Sequence, residues 1–238
     1  MKLAISHLIL LPLTFAAGAC APAAGTQAHE MSAAEHQAAA KQEESDAEAH
    51  AAKYHPEAPA VGAACKPSRG RVCWTEWENP SKEHQISAAE HHDLAAKHRA
   101  ASKELTEAEA SACSGLSDED RDISPFAHGA DISSVTQLKE EKRAGKATTT
   151  RDAGATVVFR AAPGLTAEWL QRIVDCHLAR NAAVGHNMPQ MSYCPLVPRG
   201  VQAKVHSSGG GFAVDIRSDD PETVAEIWKR AQQLKIKP

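Results

Sequence analysis

From residue 29 to residue 113 the chain offers nine large apolar side chains: Met31, Tyr54, Val61, Val72, Trp74, Trp77, Ile86, Leu94 and Leu105. Fully burying one such side chain contributes ~1.5–3 kcal/mol, whereas ordering each backbone residue costs ~1–2 kcal/mol. A globular core cannot be assembled on those terms. What the stretch has instead is Ala, Glu, Gln and Lys, all strong helix formers. Its composition restricts this half of the molecule to helices packed on small side chains. Such helices need further support: a disulfide, the C-terminal region, self-association or a bound metal.

The first helix is expected over residues 31 to about 54. Ser32-Ala33-Ala34-Glu35 is a capping-box pattern. His55-Pro56 ends the helix, because a residue before proline is pushed out of the helical region. A second helix is expected from Asn79-Pro80-Ser81 to about Cys113, closed by Gly115. Residues 56–79 then form a loop carrying Cys65, Cys73, Trp74 and Trp77. Ser87-Ala88-Ala89-Glu90-His91 echoes Ser32-Ala33-Ala34-Glu35-His36, a weak internal duplication.

Both helical stretches carry histidine at seven-residue intervals. His29, His36 and His50 share a heptad position with Glu43, and His84, His91 and His98 share another. Seven residues is close to two helical turns, so each set forms a stripe drifting ~20° per heptad. Stepping along the second stripe gives Ser87, Leu94, Ala101 and Leu105 between and beyond the histidines, and along the first Ala33, Ala40, Ala47 and Tyr54. These are coiled-coil seams in which histidine replaces the usual large apolar residue. In an antiparallel hairpin the seams face each other, bringing His50 near His84, and His36 and Glu43 near His91 and His98. Imidazole is the commonest side-chain metal ligand and titrates near neutral pH. The metal-site expectation is therefore His36, His50, His84, His91 and His98, holding zinc or copper. The competing reading leaves the histidines at a solvated seam edge, binding nothing.

The start of the chain bears on compartment. Lys2 precedes an apolar run from Leu3 to Phe15, broken by Pro12. That run is too short to span a bilayer, which takes ~20 residues, and reads as a secretory signal over residues 1–19. The segment Ala17-Gly18-Ala19-Cys20 resembles the lipobox of bacterial lipoprotein precursors, with Ala17 where Leu is commonest. The resemblance implies lipidation at Cys20 and a mature chain anchored in the cell envelope. Ala21 after the lipidated cysteine, rather than Asp, implies the outer membrane facing the periplasm. Ala17-x-Ala19 and Ala19-x-Ala21 also suit general signal peptidase, which would release a secreted protein. Residues 20–30 read as a flexible tether. The net charge is −4 and no basic block occurs, which argues against a nucleic-acid partner. The partners expected are the membrane, through the lipid, and an envelope protein or a second copy of the chain.

If Cys20 carries lipid, five cysteines remain for an oxidising compartment: Cys65, Cys73, Cys113, Cys176 and Cys194. An odd number leaves one unpaired. Cys176 and Cys194 lie in one apparent domain and make the simplest disulfide, leaving Cys65, Cys73 and Cys113 to compete for the other. Cys176, His177, His186, Met188, Met191 and Cys194 also form a second ligand-rich group, of the thiolate, thioether and imidazole type that suits copper(I). A disulfide and a thiolate site cannot share the same two sulfurs, and with the disulfide His177 becomes a core histidine and the methionines pack.

Residues 116–153 read as a polar linker in which Phe126 can dock. Residues 154–238 carry a better-specified pattern. Ala155–Ala162 is rich in β-formers, Thr166 caps a helix running to about Val184, two alternating runs flank Ser207–Gly211, and Pro221 opens a last helix. The fold class expected is therefore α+β: an alanine-rich antiparallel helical hairpin over residues 31–115, then a small two-layer β-α-β-β-α domain. No Gly-x-Ser-x-Gly, His-Glu-x-x-His, P-loop or dinucleotide fingerprint occurs, so the reading is non-enzymatic. The function expected is metal binding or buffering by a lipid-anchored envelope protein. The alternative is a structural or interaction lipoprotein without metal.

Overall fold

The capping box at Ser32 opens the first helix. The Ser32 hydroxyl accepts from the Glu35 backbone N–H, and the Glu35 carboxylate accepts from the Ser32 N–H at 2.8 Å. Those bonds from Ser32 also hold the Glu35 carboxyl below its ordinary range. The structure is a computed structural model that describes residues 23–62, 77–127, 129–145 and 147–234. Helix α1 spans Ala33–Ala51 and α2 spans Lys82–Ala112. Between them β1 (Val61–Gly62) pairs antiparallel with β2 (Trp77–Glu78). Ser81 ties the two helix ends together, its hydroxyl accepting from the His55 N–H at 2.9 Å. Cys20, Cys65 and Cys73 lie outside the described residues, and so do the signal and lipidation readings.

The chain is α+β. After a short helix α3 (Asp118–Asp122) come β3 (Ile132–Ala144), β4 (Ala147–Phe159), α4 (Ala167–Ala183), β5 (Gln202–Ser208), β6 (Gly211–Arg217) and α5 (Pro221–Gln233). The four longer strands form one antiparallel sheet in the order β3-β4-β6-β5. Helices α4 and α5 cover one face, where Leu170, Val174, Ile227 and Ala231 meet Val157, Val205, Val214 and Ile216 in a single core. Phe126 does dock there and stacks on Phe159, ring centroids 5.7 Å apart.

Residues 116–153 are therefore not a linker. They hold α3, the whole of β3 and the first half of β4, so the domain reads β-β-α-β-β-α. The reason lies in burial. Among the side chains described in β3 only Val135 is fully buried, and residues 147–152 of β4 are exposed. This half of the hairpin is a solvated ribbon, without the apolar alternation that betrays a strand. Gly145, with φ 62°, sits in the loop that joins Ala144 to its pairing partner Ala147. At the opposite edge, β5 is covered by one side chain of α4. Gln171 accepts from the Val205 N–H at 2.6 Å and donates to the Ala203 carbonyl at 3.3 Å.

The hairpin leans on the domain. Ala33 and Leu105 pack with Ala183 of α4, and a disulfide joins Cys113, at the end of α2, to Cys176 on α4. This corrects the pairing expected from the sequence. Cys176 is bonded to Cys113, and Cys194 is a buried free thiol. The two sequence-near cysteines do not pair because the buried face of α4 delivers Cys176 toward α2, while Cys194 enters the sheet core and receives a hydrogen bond from Ser124 at 3.3 Å.

Candidate metal site in the helical seam

Heptad spacing, antiparallel direction and alanine together decide where the histidines go. Ala40, Ala47, Ala88 and Ala95 are buried, and with no side chain beyond Cβ they let the helices approach closely. Between these alanine layers the ligand-type residues meet as rungs. His36 faces His98 with Nδ1 atoms 3.0 Å apart. Seven residues on, Glu43 Oε2 lies 2.6 Å from His91 Nδ1. After seven more, His50 faces His84 with Nδ1 atoms 3.2 Å apart. All five histidines expected from the sequence are brought into one seam; His50 meets His84 as expected, and the group of His36, Glu43, His91 and His98 resolves into His36–His98 and Glu43–His91.

The rungs differ in surroundings. His36 is fully buried and His98 nearly so, at 0% and 6% exposure. His36 also places Nε2 3.1 Å from the Gln27 carbonyl oxygen. A carbonyl oxygen only accepts, so Nε2 of His36 carries a proton. With His36 neutral, its Nδ1 is a lone pair and accepts from Nδ1–H of His98. His50, His84, His91 and Glu43 are half-buried and reach solvent. His50 touches His91 as well as His84, with ring centroids 5.4 and 5.3 Å away. Outside the seam, Arg99 pairs with Glu44 across the two helices.

Chemically, a rung of two imidazoles shares either a proton or a metal ion. Two nitrogens on one tetrahedral ion with bonds of about 2.0 Å lie about 3.3 Å apart. The observed separations of 3.0 and 3.2 Å are near that bite. Among the described residues no three His, Cys, Asp or Glu side chains are already grouped around one point as a metal site.

Two other expectations meet the geometry differently. His29 is not on the stripe: it lies in a 3₁₀ turn, Ala28–Glu30, ahead of α1, exposed, with its carbonyl accepting from Arg199. The second group does not assemble as a soft-metal site, since Cys176 is in a disulfide, Met191 is core and Met188 lies at its edge. His186 Nδ1 lies 2.7 Å from the Val197 carbonyl. His177 is buried, although the Cys176–Cys194 disulfide that the core reading assumed does not form. Its Nε2 has no hydrogen-bond partner, and burial pushes both His177 and His186 below the ordinary imidazole range. The Gln27 carbonyl was not foreseen, and no sequence signal marks a backbone acceptor nine residues upstream of its histidine.

No protein-family profile, curated protein or solved structure matches the chain. Among the described residues no helix is long and apolar enough to cross a membrane.

Proposed function

We propose that this is a cell-envelope protein, lipid-anchored at Cys20, whose helical seam takes up a divalent transition-metal ion, zinc or copper(II), through imidazole. The observation that supports this reading is the convergence of two histidine stripes on one seam, with two pairs of imidazole nitrogens 3.0 and 3.2 Å apart. Scattered surface histidines do not take that arrangement. Imidazole suits zinc and copper(II), and the loss of Cys176 to a disulfide removes the thiolate that favoured copper(I). Imidazole binds metal only when neutral, so metal uptake through it falls on acidification.

The test is native mass spectrometry of the exported protein, with Zn(II) and then Cu(II) added. The expected result is stoichiometric metal, lost when His36, His50, His84, His91 and His98 are all replaced by Ala. A second reading is a spacer or interaction lipoprotein that uses the seam only to pair its helices. It is supported by apolar side chains exposed toward the loop end of the hairpin: Val61, Trp77 and Ile86 are 53%, 69% and 51% exposed. A metal-free spectrum at all tested concentrations selects that reading.

A further inference from the structure

Resting on the metal-binding reading, we infer that the seam loads a single divalent ion at its loop end, on His50, His84, His91 and Glu43, and that the His36–His98 rung stays metal-free. The two ends are chemically unlike. A divalent ion of the zinc type needs four ligands, and solvent must reach it where the protein supplies fewer. At the inner rung an ion would find two nitrogens, His36 Nδ1 and His98 Nδ1, in a layer closed to solvent and flanked by buried Ala33, Ala40, Ala95 and Ala101. The His36 Nε2–Gln27 bond is of the kind that orients metal-bound histidines. Among the described residues the rung nevertheless has no third side-chain ligand grouped with it.

At the loop end the donors are continuous. His84 meets His50, His50 meets His91, and His91 meets Glu43. That is three imidazoles and one carboxylate, the donor count of a closed tetrahedral site and an imidazole-rich set suited to zinc, copper(II) or nickel(II). The His91 and Glu43 side chains are 29% and 23% exposed, so an ion can enter and water can leave. Gathering the four donors requires their side chains to turn toward one point, on helices that are already in register. A neutral imidazole gives the ion one nitrogen and keeps its proton on the other. Glu43 supplies a carboxylate in direct contact with the imidazoles, and no such contact is made with His36 or His98 among the described residues.

The experiment is zinc titration by calorimetry on the exported protein, together with ¹H–¹⁵N spectra of the histidine rings. One ion per chain is expected, with ring signals of His50, His84 and His91 shifting and those of His36 and His98 unmoved. His84→Gln and His91→Gln should each weaken zinc by more than about tenfold, and His98→Gln by less than about threefold. Zinc that moves the His36 and His98 signals, or that is lost in His98→Gln but kept in His84→Gln and His91→Gln, overturns this assignment and leaves the metal reading standing. Failure of the unmodified protein to bind zinc, copper(II) or nickel(II) overturns both. The ring spectra need no substitution, so a variant that fails to fold does not blur the result.

Discussion

His177 shows how one residue couples this fold to pH. It lies on the buried face of α4, 1% exposed. Desolvation lowers its pKa, opposed by hydrogen bonds to the Ile123 and Asp120 backbones that raise it. The unfolded chain, at the ordinary value of 6.5, takes up its proton before the folded chain does. The contribution of a neutral buried His177 is therefore complete above that value and is lost as pH falls through the lower folded value. His186 acts in the same direction, also through burial. The melting temperature should accordingly drop between pH 7.5 and 5. His177→Leu should shrink that drop whatever it does to stability at pH 7.5; an unchanged slope would mean His177 is not the group responsible. Gly154 is a residue of another kind. Its φ is 148°, and a Cβ there would lie 1.9 Å from the Ile216 carbonyl oxygen in the neighbouring strand. Gly154→Ala should destabilise the sheet by about 2 kcal/mol or more, measured by chemical denaturation.

Among the elements, β5 depends on a side chain for what a neighbouring strand would otherwise supply. The Gln171 amide presents an acceptor and a donor to the outer edge of β5, as a peptide unit would. Gln171→Ala removes both bonds and should cost about 1–3 kcal/mol, with light scattering at high concentration reporting edge-to-edge association. Gln171→Glu, which keeps the acceptor and loses the donor, should fall between. The other elements separate into those readable from sequence and those not. The starts of α1, α4 and α5 carry local signals, at the Ser32 capping box, the Thr166 cap and the Asp220-Pro221 pair, and the structure begins each helix within a residue of them. The seam was readable because a seven-residue period is itself a geometric statement. β3 was not, since an edge strand whose described side chains are, Val135 apart, exposed or half-buried has almost no hydrophobic pattern to display. Gln171 was invisible for a related reason: it looks like any polar residue on a helix until the strand beside it is known.

At the scale of the molecule, the thin hairpin is supported by the domain it packs on. The Cys113–Cys176 disulfide closes a loop of 63 residues in sequence separation. Constraining a loop of that length is worth about 4 kcal/mol in the chain-entropy account. Replacing both cysteines by Ala should therefore lower the denaturation midpoint, and the helical signal of the hairpin should be lost before the sheet domain unfolds. A single concerted transition would show instead that the packing of Ala33 and Leu105 on Ala183 suffices to couple them. This pairing could not be read from spacing, because it joins cysteines in two different structural units. Proximity in sequence favoured Cys194, which the fold carries into the core. Which histidines gather was legible, but not which end of the seam is dry and which is open to solvent. That difference depends on where α4 and the N-terminal turn press against the hairpin.

If α1 slid along α2 by one heptad, about 10 Å, Glu43 would meet His98 and His50 would meet His91, while His36 would face Leu105. Two of three rungs would be rebuilt with equivalent partners. The stripes thus specify a set of equally spaced alignments rather than one. The choice falls to features that do not repeat: the Ser81 tie at the loop end, the Ser102 hydroxyl donating to the Ala33 carbonyl at 2.9 Å, and Leu105 in its pocket beside Ala183. The histidines act as a graduated scale, and these few contacts set its zero.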